Sequence, residues 1–158
     1  MPERMKVGVV GCGNISQIYF KMSKVFKSME IAACSDLNMD AAKAKAKEHG
    51  LKAMTVERML ADKSIDIILN LTVPLAHTEV NLKALDAGKH VYLEKPLAVE
   101  RKDGAKVLAL AKKKGLRVGC APDTFLGAGG QTCRKLVDDG WIRSEERRVG
   151  KECRSRGS

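Results

Sequence analysis

Short apolar runs recur along the 158-residue chain and alternate with longer stretches in which apolar residues return at helical spacing. The runs are KVGVV, EIAAC, DIILNL, HVYL and RVGCA. They are continuous rather than alternating, which is typical of parallel strands that are covered on both faces. Strands that alternate with helices through short connections predict βαβ units with right-handed crossovers. We therefore predict an α/β fold with a doubly wound parallel sheet.

Three apolar stripes between these runs predict helices that pack against the sheet. The first stripe is Ile15, Ile18, Tyr19, Met22, Val25 and Phe26, the second is Val80, Ala84 and Ala87, and the third is Val107, Leu108 and Ala111. Gly50, Gly88 and Gly115 stand just beyond predicted helices, where a left-handed C-cap is expected.

The pattern changes after RVGCA. PDTFLGAGG indicates a connector, and QTCRKLVDDGWI predicts one more helix with Gly140 near its end. The segment from Arg143 to Arg156, RSEERRVGKECRSR, resembles the translation of a common sequencing adapter and no protein family. We therefore expect residues 143–158 to be a non-native, disordered tail and the natural reading frame to be cut near Ile142.

The cysteines and the apolar runs bear on the compartment and on metal binding. Five cysteines are odd in number, widely spread and without a CxxC pair, so neither a disulfide framework nor a zinc site is indicated, and we predict no metal. No run approaches the roughly twenty apolar residues of a membrane span, and the N-terminus lacks a signal-peptide pattern. We expect a cytoplasmic protein that does not bind membranes.

The formal net charge of +10 raises the question of nucleic-acid binding. The last sixteen residues carry six of the Lys and Arg residues against three Glu, which leaves +7 for the body of the chain. The remaining lysines are scattered along helical faces and have no aromatic partners. This distribution is typical of solvated helix faces, so we predict no nucleic-acid partner.

The first strand is followed directly by VGCGNIS, in which Gly11, Gly13 and Ser16 fill a G-x-G-x-x-[GAS] pattern. In a dinucleotide-binding (Rossmann-type) turn the first glycine permits the tight turn and the second lets the backbone approach a pyrophosphate, while the third small residue packs against the strand. We count Asn14 and Ile15 of this loop among the cofactor-binding residues. The alternative is a tight turn that binds nothing.

An acidic residue ends the second strand. Asp36 stands twenty residues beyond Ser16, where a carboxylate accepts hydrogen bonds from the adenosine ribose hydroxyls. Because a carboxylate there repels a 2'-phosphate, we predict NAD rather than NADP as the cofactor. The alternative is that Asp36 is only the N-cap or first-turn acid of the next helix.

Three further motifs follow in order: Thr72, Pro74 and His77 in a T-x-P-x-x-H turn, an A-L-x-A-G-K-H-V run, and the E-K-P sequence of Glu94, Lys95 and Pro96. With the glycine loop, they make residues 5 to about 142 resemble the Gfo/Idh/MocA family of oxidoreductases. The resemblance implies hydride transfer between NAD(P) and a secondary alcohol of a sugar, inositol or similar polyol. The alternative is a non-catalytic binding or regulatory module.

The resemblance also implies roles for these residues. Glu94 would bond the nicotinamide ribose, and Lys95 would point toward the substrate hydroxyl and stabilise alkoxide charge as hydride leaves. Thr72 and Pro74 would line the dinucleotide groove. His77 would either join them or only cap and pack.

The resemblance implies a second domain that supplies acid and base groups, and we expect it to be missing here. We therefore expect this chain to hold a dinucleotide but to be inactive as an enzyme on its own. The predicted organisation is a dinucleotide-binding domain over residues 1–121, a connector and first helix over 122–142, and the tail over 143–158. A surface left bare by the missing domain would be apolar, which makes homo-oligomers possible.

Overall fold

The apolar runs of the sequence form strands of one sheet, each followed by a helix. The computed structural model describes residues 4–121 and 126–142. The strands are β1 Met5–Val10, β2 Met29–Ser35, β3 Lys52–Ala53, β4 Ile67–Asn70, β5 His90–Glu94 and β6 Val118–Ala121. The helices are α1 Ser16–Met22, α2 Met39–His49, α3 Val56–Ala61, α4 Pro74–Asp86, α5 Arg101–Lys114 and α6 Ala128–Asp138, with a 3-10 helix at Ser23–Val25.

Within these described ranges the strands form a six-stranded sheet in the order β3-β2-β1-β4-β5-β6. Every neighbouring pair is parallel. The chain winds outward from β1 to β3, returns to the centre at β4 and then winds the other way. This is the doubly wound Rossmann order, so the predicted fold class is confirmed. The sequence analysis missed β3 and α3, because a two-residue strand and a six-residue helix are too short to show a period.

Helices cover both faces of the sheet. Buried side chains of α1 and α2 cluster with Val7 and Val9 of β1. Those of α3, α4 and α5 form a second cluster that includes Val10 of the same strand. Because successive side chains of a strand point to opposite faces, Val9 and Val10 belong to different layers. The continuous apolar runs of the sequence therefore reflect strands buried on both sides, as predicted.

The predicted apolar stripe of α1 is wrong. Ile15, Ile18, Met22, Val25 and Phe26 are each between 44 and 67% exposed. The buried residues of α1 are Ser16 and Phe20, which are four positions apart and therefore share one face. The small Ser16 side chain lets the helix start close to the sheet, and this turns the predicted stripe outward. Two members of the other stripes, Ala87 and Leu108, are also exposed.

Glycines end three of the helices as expected. Gly50 and Gly115 are left-handed C-caps of α2 and α5, with φ of 71° and 66°. Gly88 has φ of 78° but follows Ala87, which is the C-cap residue of α4. The next residue, Lys89, is buried. Its ammonium donates to the carbonyl oxygens of Asp62 at 2.7 Å and Ile65 at 2.8 Å, and so fixes the loop before β4.

The chain divides into two compact units, Met1–Ala121 and Pro122–Ser158. In the second unit α6 carries ion pairs one turn apart, Arg134 with Asp138 and Lys135 with Asp139. Gly140 follows the helix with φ of 78°, in agreement with its predicted place. Residues 122–125 of the connector and the tail 143–158 lie outside the described residues. No helix within 4–121 and 126–142 is long and apolar enough to cross a membrane.

Candidate functional site

The predicted site residues of the first unit stand just beyond the carboxyl ends of four strands. The glycine loop follows β1, Asp36 follows β2, Thr72 follows β4, and Glu94 closes β5. In a doubly wound sheet the strand order reverses between β1 and β4, and ligands bind in the crevice at that point. The fold thus brings together residues that are up to 84 positions apart in the sequence.

Gly11 and Gly13 have different surroundings. Gly11 has a φ of 105°, and a Cβ there would lie 2.6 Å from the carbonyl carbon and oxygen of Leu71. Its amide donates to the carbonyl of Ser35 at 2.8 Å. Gly13 is exposed, and a Cβ there would have no heavy atom within 4 Å. Gly11 is therefore required by the fold, whereas Gly13 leaves open space beside the loop.

The rest of the loop turns the chain into α1. The Ser16 hydroxyl is buried and donates to the carbonyl of Gly13 at 2.6 Å, and the Ser16 amide bonds the same oxygen at 3.0 Å. Asn14 and Ile15 are exposed between them. Ser16 thus fills the third position of the fingerprint as a small packed residue that also holds the turn.

Asp36 binds the glycine loop through backbone hydrogen bonds. Its Oδ2 accepts from the Cys12 amide at 2.7 Å, and its Oδ1 accepts from the Asn38 amide at 2.9 Å. Asn38 is the N-cap of α2, so the alternative interpretation of Asp36 as that cap is wrong. Each carboxylate oxygen can accept more than one hydrogen bond, so the oriented carboxylate still has acceptor capacity for ribose hydroxyls.

A buried polar network lies beneath the turn after β4. The side-chain amide of Asn70 donates to Oδ1 of Asn81 at 2.8 Å and to the carbonyl of His77 at 3.2 Å. Its Oδ1 accepts from the hydroxyl and the amide of Thr72 at 2.7 and 3.2 Å. Asn70, His77 and Asn81 are at most 1% exposed. Thr72 is thus held by a side chain that is itself fixed inside the protein.

His77 connects two of the site loops. Its Nδ1 lies 2.7 Å from the carbonyl oxygen of Pro96, and its Nε2 lies 3.0 Å from that of Thr72. The structure therefore favours the packing alternative for His77, because both ring nitrogens face the backbone. Pro74 opens α4 at its first turn and is exposed.

Glu94 ends β5 and Lys95 follows it, on the other side of the point where the strand order reverses. Oε1 of Glu94 accepts from the Tyr19 hydroxyl at 2.7 Å, and Oε2 accepts from the Lys95 amide at 3.2 Å. Lys95 is exposed, and its peptide bond to Pro96 is cis. The charged side chains at this edge are therefore an oriented carboxylate and an exposed ammonium in adjacent positions.

Two thiols lie close to these groups. Hydrogen bonding to Cys34, followed by burial, raises the pKa of Cys12 well above its ordinary range. Burial, with a smaller contribution from the negative charge of Glu94, raises the pKa of Cys120. Both thiols are therefore neutral near pH 7, and neither adds charge to the crevice.

The sequence analysis did not identify three residues that shape this site. Asn70 and Asn81 hold the turn after β4, and Tyr19 holds Glu94. A usable signal existed for Asn70, because it is a polar residue inside the apolar run DIILNL. Tyr19 had been counted as part of an apolar stripe, so its hydroxyl was overlooked.

Comparison with known proteins yields a family and several relatives. Residues 5–121 match the description "Oxidoreductase family, NAD-binding Rossmann fold", the Gfo/Idh/MocA family. The chain is 31% identical over 141 residues to an inositol 2-dehydrogenase of Saccharopolyspora erythraea, covering 87% of this chain and 42% of the relative.

Solved structures agree in fold. A 3-ketoreductase from Actinomadura kijaniata, determined with NADP and TDP-benzene, has a TM-score of 0.80 at 26% identity and is matched over 89% of this chain and 44% of its own. A biliverdin reductase from Synechocystis, determined with biliverdin and NADP+, has a TM-score of 0.78 at 29% identity, over 85% and 43% of the two chains. The chain spans about two fifths of the length of these relatives.

Proposed function

Because the chain belongs to the Gfo/Idh/MocA family of oxidoreductases, we propose that residues 5–121 hold NAD for hydride transfer to and from a secondary alcohol of a sugar, inositol or similar polyol. The observation that carries this proposal is the reversal of strand order between β1 and β4. The glycine loop, Asp36 and Glu94 lie at the carboxyl ends of β1, β2 and β5, the edge of such a sheet where ligands bind. The relative from Saccharopolyspora is named for action on inositol, which supports the polyol class.

The residues present fit a dinucleotide. The open side of Gly13 leaves room for a pyrophosphate beside the loop, while Gly11 and Ser16 keep the loop in its turned conformation. Asp36 on one side and Glu94 on the other offer carboxylate oxygens for ribose hydroxyls. Once bound, the nicotinamide ring accepts or gives a hydride, which is chemistry that amino-acid side chains do not supply.

Asp36 supports NAD as the preferred dinucleotide. Backbone amides hold its carboxylate at 2.7 and 2.9 Å, so the negative charge has a fixed position. A 2'-phosphate brought there would meet like charge, and the next two residues, Leu37 and Asn38, offer no cation to offset it. Two structurally similar proteins hold NADP, so this preference is a property we assign to this chain from its own residues.

Lys95 is the residue to which we assign chemistry. Lys95 is exposed and follows Glu94, the carboxylate proposed for the nicotinamide ribose, directly in the sequence. A cation there would stabilise the negative charge that develops on the substrate oxygen as hydride leaves carbon. Thr72 and Pro74 would line the groove, while His77 holds the loops on which they and Lys95 stand.

Titration calorimetry of the chain with NAD and NADP tests the binding proposal. We expect NAD to bind more tightly, and Asp36→Ala to weaken NAD about tenfold and narrow its advantage over NADP. Asp40→Ala is the matched control, because Asp40 is an exposed carboxylate on α2 that pairs with Lys43. Absence of dinucleotide binding would overturn the proposal, and an unchanged preference in Asp36→Ala would remove Asp36 from it.

Turnover tests the catalytic part. The chain is mixed with NAD and a panel of polyols, and the absorbance of reduced nicotinamide is followed. Because the acid and base groups are expected from a second domain, we expect this chain alone to bind NAD without turnover. In the full-length protein we expect Lys95→Met to lose turnover while NAD affinity stays within about twofold, and the exposed Lys102→Met to behave as the unaltered protein. Equal loss of turnover and NAD affinity in Lys95→Met would overturn the role of Lys95, and a flat trace from the full-length protein alongside NAD binding would leave a dinucleotide-binding module.

A further inference from the structure

One hydrogen bond joins the two sides of the crevice. The hydroxyl of Tyr19, on α1, donates to Oε1 of Glu94 at 2.7 Å across 75 positions of sequence. The helix that carries Tyr19 starts in the glycine loop, whereas Glu94 closes β5. The bond therefore connects the segment proposed for the pyrophosphate with the segment proposed for the nicotinamide side.

The second oxygen of Glu94 is held from its own chain. Oε2 accepts from the Lys95 amide at 3.2 Å, and a backbone amide cannot turn away as a side chain can. With one donor on each oxygen, the plane of the carboxylate is set rather than left to rotate. Without Tyr19, the bond from Lys95 is the one hydrogen bond from residues 4–121 and 126–142 that the carboxylate would keep.

The ring and the hydroxyl of Tyr19 do different work. The ring is partly buried and packs against the cluster that contains Phe20 and Val9. Its neighbours Ile18 and Met22 are about half exposed, so α1 does not depend on a fully buried stripe at these positions. Phenylalanine at position 19 would preserve the packing and remove only the donor to Glu94.

We propose that Tyr19 is a positioning residue that orients the Glu94 carboxylate toward the ribose on the nicotinamide side of the bound dinucleotide. This inference rests on the proposed function. A carboxylate oxygen can accept more than one hydrogen bond, so Oε1 keeps capacity for a ribose hydroxyl while it accepts from Tyr19. Tyr19 acts on the cofactor through Glu94 and is assigned no contact with it.

Binding of two ligands to Tyr19→Phe tests the inference. NAD includes the ribose proposed to meet Glu94, whereas ADP shares only the adenosine and the two phosphates. We expect Tyr19→Phe to weaken NAD about fivefold and to leave ADP within about twofold of the unaltered chain, because hydrogen bonds to charged groups are the stronger ones. The matched control is Tyr92→Phe, which removes a hydroxyl from β5 where the ring packs beside Gly119.

A double-mutant cycle with Glu94→Ala, which removes the acceptor of the Tyr19 hydroxyl, identifies the route of the effect. If Tyr19 acts through the carboxylate, Tyr19→Phe added to Glu94→Ala should change NAD affinity less than twofold, well short of additivity. Full additivity would overturn the inference. Equal loss of NAD and ADP in Tyr19→Phe would also overturn it, because that result indicates a structural role.

The experiment separates this inference from the proposed function. If the unaltered chain binds NAD and Tyr19→Phe binds it equally well, the role of Tyr19 is overturned and the proposed function stands. If the unaltered chain bound ADP as tightly as NAD, the nicotinamide half would contribute no affinity. That result would overturn both the proposed nicotinamide side of the site and the role of Tyr19. ADP binding also reports that each variant is folded, so a misfolded variant is recognised directly.

Discussion

The two sides of the crevice are built by different means. Beside β1 and β2, the backbone makes the site, through Gly11 at φ of 105° and amides that bind the Asp36 carboxylate. Beside β4 and β5, buried side chains make it, through Asn70 and His77, which hold the turns from below. The first construction depends on which residues lack a side chain. The second depends on which side chains are paired inside the protein.

This difference decides which substitutions damage folding and which damage binding. On the first side we expect Gly11 to matter for folding and Gly13 for the proposed dinucleotide binding, because a Cβ at Gly11 would meet Leu71 and one at Gly13 would face open space. On the second side the same residue, His77, serves the core and both loops. The first side should therefore be separable by mutation, and the second should not.

The largest expected effect is that of Gly11→Ala. A Cβ there meets the Leu71 carbonyl at 2.6 Å in a backbone conformation that L-residues avoid, so we expect unfolding free energy to fall by about 3 kcal/mol or more. Thermal denaturation followed by circular dichroism measures this loss.

Gly13→Ala is the matched variant for Gly11→Ala. It should melt close to the unaltered chain, because its Cβ touches nothing, and yet bind NAD at least about tenfold more weakly by filling the space beside the loop. If Gly13→Ala destabilised the fold as much as Gly11→Ala, the two glycines would not divide folding from binding.

An intermediate effect is expected for His77→Phe. The substitution keeps a ring in the core but removes the ring N–H that donates to one of the carbonyls of Pro96 and Thr72, which should cost about 2 kcal/mol of unfolding free energy. NAD affinity should fall with it, since both loops loosen. Chemical denaturation and calorimetry measure the two losses.

His49→Phe provides a control at the opposite edge of the sheet, where His49 lines one pocket with Met29 and Glu30 at the start of β2. The His49 ring stacks on Phe20 with centroids 4.9 Å apart, and a phenyl ring keeps that packing. We expect a loss below about 1 kcal/mol and unchanged NAD affinity. Stability lost in His77→Phe with NAD affinity intact would show that the second side is separable after all.

The smallest expected effect concerns acid pH and the contact between α1 and α2. Hydrogen bonds from Lys45, then from Gln17, lower the pKa of Glu48 from 4.5 to about 2. Because the folded pKa lies below the unfolded one, the stabilisation is fully present above about pH 4.5 and is lost as pH falls toward 2.

Melting curves between about pH 3 and pH 6, roughly 1.5 units below and above the unfolded pKa, measure this dependence. The melting temperature of Glu48→Gln should lie below that of the unaltered chain at pH 6, and the gap should shrink at pH 3. Asp40→Asn is the control, because Asp40 is an exposed carboxylate on the same helix as Glu48 that pairs with Lys43. A gap that does not change with pH would contradict the assignment to Glu48.

The sequence predicted the sheet and the first side of the crevice well, for a physical reason. Strands that are buried on both faces are continuously apolar, and a turn with positive φ favours glycine. The sequence alone therefore predicts β1, β4 and the turn at Gly11. Ser16 was also predicted as a small packed residue, and it is buried. Local rules were enough wherever the backbone makes the structure.

The second side could not be predicted in the same way. Asn70 and His77 meet only after the chain folds, and no spacing rule links His77 to the carbonyl of Pro96. The prediction of the buried face of α1 was wrong for a related reason. Six apolar residues at helical spacing indicated one face, but Ser16 and Phe20 are the residues of α1 that pack against the sheet. Tertiary contacts, rather than local patterns, decide these features.

Buried Lys89 and exposed Lys95 differ in chemical reactivity as well as in position. The Lys89 amine donates hydrogen bonds to two carbonyl oxygens, so we expect it to react slowly with acylating reagents, which require an accessible amine. Lys95 presents its amine to water. Mass spectrometry after brief acetylation should therefore find Lys95 modified and Lys89 unmodified. The rate of modification at Lys95 then reports whether a bound molecule covers this side chain.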